Sequence, residues 1–78
     1  MILEIITPEK EMFNGKVSSV KIPGSSGEFE ILNNHASIVS TLINGNNRII
    51  THDKEELNFN INGGVVEMQK NKIVILAE

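Results

Sequence analysis

The stretch "LNFNING", residues 57–63, alternates strictly. Leu57, Phe59 and Ile61 fall on one side of an extended chain, and Asn58, Asn60 and Asn62 fall on the other. Period-two alternation of this kind belongs to a strand buried on one face, and it is the dominant pattern of the whole chain. Nowhere does an apolar stripe of period 3.6 persist for three turns, so an all-β fold is expected. Burial of Leu57, Phe59 and Ile61 would contribute roughly 1.5–3 kcal/mol each. The run "KIVILAE", residues 72–78, instead carries apolar residues on both sides, Ile73 and Ile75 against Val74 and Leu76. That pattern predicts a central strand lying between two covering layers or beneath a partner.

Turn residues divide the chain at short intervals. Asn14-Gly15, Gly24 to Gly27, Asn33-Asn34, Asn44 to Asn47, Gly63-Gly64 and Lys70-Asn71 supply residues that tolerate positive φ, as tight connections require. Short strands between such turns predict a small β-sandwich or flattened barrel of mostly antiparallel strands. In "EMFNGKVSSVKIP" the apolar phase changes, because Phe13 and Val17 have one parity and Val20 and Ile22 the other. A bulge near Ser18-Ser19 reconciles the two phases and curls the sheet. "VVEMQKNKIVI" reads as a hairpin closed at Lys70-Asn71, with Val66 and Met68 on one face, and "THDKEE", Thr51 to Glu56, reads as a solvated turn. With no repeat, linker or low-complexity segment, residues 1–78 read as a single domain.

A chain of 78 residues buries only about 60–65% of the surface its unfolded form exposes, so its core is thin. Cysteine is absent, which leaves neither disulfides nor thiolate metal sites to reinforce it and favours a reducing compartment. A formal net charge of −3 with both signs interspersed gives no electrostatic footprint for nucleic acid or for an acidic membrane surface. No apolar run approaches the ~20 residues that cross a bilayer, and Met1 to Thr7 lacks the basic start of a signal peptide. The chain is therefore expected to stay where it is made unless a partner carries it. Small domains without disulfide or metal often gain stability by association.

Catalysis needs convergent groups, and they are hard to assemble from this sequence. His35 and His52 are far apart and sit in no metal-binding spacing, and Gly24-Ser25-Ser26-Gly27 lacks the Lys-Ser/Thr and the helix of a phosphate cradle. Glu28 and Glu30 share a strand face, either as an acid/base pair or, more simply, as a solvated face. His35, after Asn33 and Asn34, is open to three readings: exposed, capping, or touching a partner. The uncharged row Asn58, Asn60, Asn62 leaves an edge poorly protected against strand pairing, which admits a second reading of the chain as a small β-module binding a peptide or ligand along that edge.

The segment "IPGSSGEFEILNNHASIVSTLINGNNRI", residues 22–49, resembles the signature of the epsilon subunit of the rotary F-type ATP synthase. In that family a Pro-Gly-x-x-Gly-Glu-Phe/Leu-Gly-Ile-Leu-Pro-Gly-His-Ala-Pro pattern precedes an apolar strand. "LEIITPEKEMFNGKVSSVKIPG" is similar to the family's opening, and "NGGVVEMQKNKIVILAE" to its Gly-Gly-x-x-Glu-Val hairpin and closing Leu-Ala-Glu. The likeness runs over essentially the whole chain in order. Three departures stand out: Glu30 where the family has Gly, Asn33-Asn34 where it has Pro-Gly, and Ser37 where it has Pro. Asn accepts positive φ, so the turn is expected to survive, while loss of the proline frees a backbone donor.

The resemblance implies a non-catalytic subunit of the central stalk that clamps the gamma subunit to the membrane c-ring and transmits rotation for ATP synthesis. It implies no cofactor, no metal and no nucleic acid, and a peripheral, partner-mediated place on the cytoplasmic face of a bacterial inner membrane. Family members commonly continue after Leu-Ala-Glu into a helical hairpin that restrains hydrolysis. A chain ending at Glu78 is accordingly expected to couple without that restraint. Glu28 falls at the family's ring-contacting Glu, Asn33 and Asn34 shape the neighbouring loop, and His35 is the hydrogen-bonding group at its edge. Apolar residues in excess of one thin core, such as Ile6, Ile50 or Val65, are candidates for the gamma-facing patch.

Overall fold

The computed structural model describes residues 1–78 and consists entirely of strands and their connections. Eight strands follow in order: β1 (Ile2–Ile6), β2 (Glu11–Gly24), β3 (Gly27–Leu32), β4 (Ile38–Leu42), β5 (Gly45–Thr51), β6 (Glu56–Ile61), β7 (Gly64–Gln69) and β8 (Lys72–Ala77). Strand β2 is long enough to serve two layers. Its first half pairs with β1, which continues to β8, β7 and β4; its second half lies between β3 and β5, with β6 outside β5. The expected sandwich or flattened barrel is therefore present. All pairings are antiparallel except β1 with β8.

The change of layer occurs where the apolar phase shifts. Against β5, Val17 is opposite Thr51 but Ser19 is opposite Ile50, so Ser18 is the extra residue of a bulge. The Ser18 hydroxyl donates to the Ile50 carbonyl at 3.3 Å. An inserted residue turns Val17 and then Val20 and Ile22 toward the same interior. That interior is aliphatic: Leu3, Ile5, Val20, Ile22, Ile31, Ile49, Val66, Met68, Ile73 and Ile75 are essentially fully buried. Phe13 and Phe59 pack tilted across it, ring centroids 5.8 Å apart, a favourable aromatic geometry.

Strand β6 half-buries Leu57 and Phe59, buries Ile61 and exposes Asn58 and Asn60, as its alternation requires. Strand β8 is central, between β1 and β7, and points Ile73, Ile75 and Ala77 inward. The hairpin between β7 and β8 turns at Lys70-Asn71 with φ of 51° and 63°, both positive as a type I′ turn demands.

Two expected turns are instead strand. Asn14-Gly15 lies within β2, opposite Glu4 and Leu3, and the Phe13 ring occupies the space above Gly15, 3.3 Å from where a Cβ would stand. Glycine there makes room for the aromatic ring and turns nothing. Within Asn44 to Asn47, only Asn44 bends the chain; Asn46 and Asn47 are paired in β5 with Asn60 and Phe59. Asn47 points into the core, fully buried, its side-chain Nδ2 donating to the Phe59 carbonyl at 3.3 Å. The local preference of Asn for turns yields here to the pairing of a strand locked on both sides.

Candidate functional site: two faces and a polar clasp

The expected contact residues fall at opposite ends of β3. Glu28 stands next to the Ser25-Ser26 turn, opposite Pro23, while Asn33, Asn34 and His35 begin the loop beyond the other end. The separation from 28 to 33 is about 16 Å along an extended strand. These residues form two places. Glu28 is exposed and pairs with Lys21 at 3.5 Å, and Glu30 shares its face. In this solvent-facing setting the ion pair contributes little to stability, at most about 0.5 kcal/mol.

At the other end a polar clasp joins three parts of the chain. The Asn33 Oδ1 accepts from the amino group of Met1 at 3.3 Å and from Asn71 Nδ2 at 2.9 Å. The backbone N–H of Asn34 donates to Asn71 Oδ1 at 2.9 Å. Asn34 adopts φ of 65°, so Asn does fill the place of a turn glycine. His35 is bound locally: its N–H donates to the Leu32 carbonyl at 3.1 Å, and its exposed ring Nδ1 lies 2.7 Å from the Ala36 carbonyl. The protonated Nδ1 tautomer makes that a hydrogen bond.

Asn71 is the residue that the sequence did not single out. Its signal was its turn position alone, and nothing local foretells that its amide spans 38 residues to Asn33. Asn71→Ala is expected to cost about 1–2 kcal/mol, since it loses two hydrogen bonds and places alanine at positive φ. Asn71→Gly keeps the backbone and is expected to lose less than half of that. Urea unfolding of both variants, compared with the parent, separates the clasp from the turn.

The outer face of the β1-β8-β7-β4 layer is unusual in a different way. Register places Thr41 beside Val65, Val65 beside Leu76, and Leu76 beside Ile6, a row across four strands. Val65 is 38% and Leu76 55% exposed. The next row runs Val39, Glu67, Val74, Glu4, with Val39 71% exposed. Ile43, 52% exposed, follows the end of β4. The row is bounded on one side by Lys72, which pairs with Glu4 at 3.0 Å, and a shallow concavity opens there among Glu67, Gln69, Lys70, Lys72 and Val74. Of the three patch candidates, Ile6 and Val65 lie in this row; Ile50 lies on the opposite layer, beside Ser19 and Glu56.

The face is apolar where it is exposed, at Val39, Val65 and Leu76. No three His, Asp or Glu side chains converge as metal ligands. The Asn46 amide donates to Asn58 Oδ1 at 2.9 Å, and Asn58 Nδ2 donates to Glu56 at 3.3 Å, so of the row Asn58, Asn60, Asn62 it is Asn58 that is engaged within the chain.

Known proteins resemble this chain over its whole length. The family model for the ATP synthase delta/epsilon chain β-sandwich domain matches residues 1–78. The ATP synthase epsilon chain of Chlorobium limicola is 42% identical over 76 residues, which is 97% of this chain and 86% of that one. That of Campylobacter concisus is 46% identical over 76 residues, and there this chain spans 59% of the relative's length. In fold, the chain matches a subunit of the Euglena gracilis mitochondrial ATP synthase with a TM-score of 0.89 at 18% identity, covering 99% of this chain and 49% of that one. A chain of the Tetrahymena thermophila mitochondrial ATP synthase central stalk and c-ring matches with a TM-score of 0.81 at 23% identity, and this chain spans 62% of it. The family model matches all 78 residues and the relatives align with nearly the whole chain, and the chain belongs to the β-sandwich domain family of ATP synthase delta/epsilon chains.

Proposed function

We propose that this chain is a non-catalytic rotor subunit of an F-type ATP synthase, which holds the gamma subunit to the c-ring and rotates with both. The observation that carries this reading is the apolar row of exposed Val65 and Leu76 with half-buried Ile6, and with exposed Val39 and Ile43 beside it. One contiguous apolar surface on so small a domain serves association, and we assign it to the gamma subunit. A standard interface covers about 800 Å² per partner, against a total accessible surface of 4712 Å². Covering that row would also support a core only two sheets thick.

The mechanism is mechanical. Two packed sheets joined through the single strand β2 deform little, and a stiff block gripped on one face and seated at one end passes torque without bond chemistry. The seat is the Glu28 end. Glu28 and Glu30 present carboxylates there, and the ring's polar loops take the complementary part. The complex sits peripherally on the cytoplasmic face of a bacterial inner membrane, and the chain is held there through its partners.

Glu28→Lys is expected to weaken docking to the c-ring by up to about tenfold and to reverse its dependence on salt, with folding unchanged. Binding of ring-containing vesicles across a salt series measures both. The broader reading is tested by reconstitution: a complex lacking this subunit is expected to regain proton-driven ATP synthesis when the chain is added. Binding to the complex without restored synthesis would contradict the coupling role.

A further inference from the structure

We propose that Asn62-Gly63 is a site of spontaneous deamidation, with Asn44-Gly45, directly across from it, as a slower second site. The chain has three Asn-Gly pairs, at 14–15, 44–45 and 62–63. The backbone nitrogen following an asparagine attacks the side-chain amide carbon most readily when the next residue is glycine, because no Cβ crowds the approach. The three pairs are not equivalent in this fold.

Asn14 is exposed but held in a paired strand. It lies inside β2, opposite Glu4, with Gly15 opposite Leu3, and its Nδ2 donates to Glu11 at 3.0 Å. Bringing the Gly15 nitrogen onto the Asn14 side chain requires the ladder to open. Asn62 is exposed, lies between β6 and β7 and makes no side-chain hydrogen bond within the chain; Gly63 lies outside both strands. Asn44 is likewise exposed and unbonded, but its Gly45 is already paired in β5 opposite Ile61. That pairing sets Asn44 next to Asn62 and makes it the slower of the two.

The fold also demands both glycines. Gly63 has φ of +136°, a conformation strained for any L side chain. A Cβ on Gly45 would lie 2.9 Å from the Pro23 Cβ. The glycine of each reactive dipeptide is therefore a consequence of the architecture at this corner, where the chain crosses from one sheet to the other.

The reaction needs only water. The Gly63 nitrogen forms a bond to Asn62 Cγ and gives its proton to solvent, the Cγ–Nδ2 bond breaks, and Nδ2 leaves as ammonia. Water then adds to one carbonyl of the five-membered imide and opens it to aspartate or isoaspartate. Either product adds a negative charge to a corner that already holds the Glu78 carboxylate, whose Oε2 is 3.4 Å from the position of a Cβ on Gly63. Isoaspartate also lengthens the backbone by one atom, where Gly63 accepts a hydrogen bond from the Glu78 N–H at 3.0 Å.

Incubation of the folded chain at mildly alkaline pH, followed by peptide mapping with enzymatic labelling of isoaspartate, tests this directly. Product is expected at position 62 first, at 44 second, and at 14 at least about tenfold more slowly than at 62, since reaction at 14 waits on local opening. In urea the three rates are expected to converge. Asn62→Ser is expected to remove the first product while leaving that at 44. Equal rates at 62 and 14 in the folded chain, or reaction at 62 only after unfolding, would overturn the assignment.

Discussion

Leu76→Glu is expected to weaken binding of the gamma subunit by at least about 100-fold while leaving the domain folded. Leu76 stands at the middle of the exposed row, flanked by Val65 of β7 on one side and Ile6 of β1 on the other. Central apolar residues of an interface carry a disproportionate share of its energy. A glutamate there forfeits that burial and also has to be desolvated without a counter-charge when the partner closes over it. In the free domain the same side chain is 55% exposed on the outer face of β8, so the carboxylate remains in water and the core beneath, Ile73 and Ile75, is untouched. Thermal unfolding is expected to move by only a few degrees, within the ±0.5 kcal/mol of ordinary surface substitutions. Calorimetric titration against gamma, with the unfolding curve as control, separates lost affinity from lost fold. Val65→Glu is expected to behave in the same way and Gln69→Ala, at the rim, to change binding by less than about threefold.

The second large effect concerns a backbone corner. Gly64→Ala is expected to destabilise the domain by about 3 kcal/mol or more. Gly64 begins β7 with φ of +148°, in a region open essentially to glycine alone and strained by about 1–3 kcal/mol for other residues. A methyl group there would also collide with the Leu76 carbonyl oxygen and stand 3.0 Å from Ala77 Cα. Both are backbone atoms of a central strand, so relief requires β8 to move away from β7. Gly64 is at the same time paired with Leu42 of β4, so the shift would disturb two ladders. Domains of this size hold about 0.05–0.15 kcal/mol per residue, and a loss of 3 kcal/mol lowers the melting temperature by about 12–24 °C. Gly27→Ala provides the comparison: Gly27 also has positive φ, 127°, but nothing lies within 4 Å of its Cβ position. It is expected to show the conformational cost alone, about 1 kcal/mol, by urea denaturation.

Much of this architecture was legible because β-patterning is local. Leu57, Phe59 and Ile61 announced the inward face of β6, and the parity change from Phe13 and Val17 to Val20 and Ile22 located the bulge at Ser18. Lys70-Asn71 marked its hairpin, and the double-sided apolar run of β8 pointed to a central strand. Of the two coverings that run allowed for, the outer one is absent from the free domain, where Leu76 faces solvent. What local chemistry failed to give was the behaviour of asparagine and glycine inside strands. Asn47 is buried and Gly15 lies under the Phe13 ring, because tertiary pairing overrides the turn preference of both residue types.

The candidate contact residues were less legible. The resemblance placed Glu28 and His35 in one neighbourhood of the sequence, whereas an extended strand carries them to opposite ends of β3. The clasp of Asn33, Asn34 and Asn71 depends on two loops distant in sequence meeting at one end of the sandwich, which periodicity does not encode. The apolar outer row is similar: Ile6, Val65 and Leu76 belong to three strands, and it takes both the parallel pairing of β1 with β8 and the antiparallel pairing of β7 with β8 to bring them side by side.

In the proposed rotor role this domain grips a stalk subunit through its β1-β8-β7-β4 face. The most direct measurement is to mix the purified chain with its cognate gamma subunit and follow the mixture by size-exclusion chromatography with light scattering. A stable one-to-one complex that forms with the parent chain and fails with Leu76→Glu is the expected result. Clean separation of the two parent proteins at micromolar concentrations would contradict the rotor reading and turn attention to the free edge of β6.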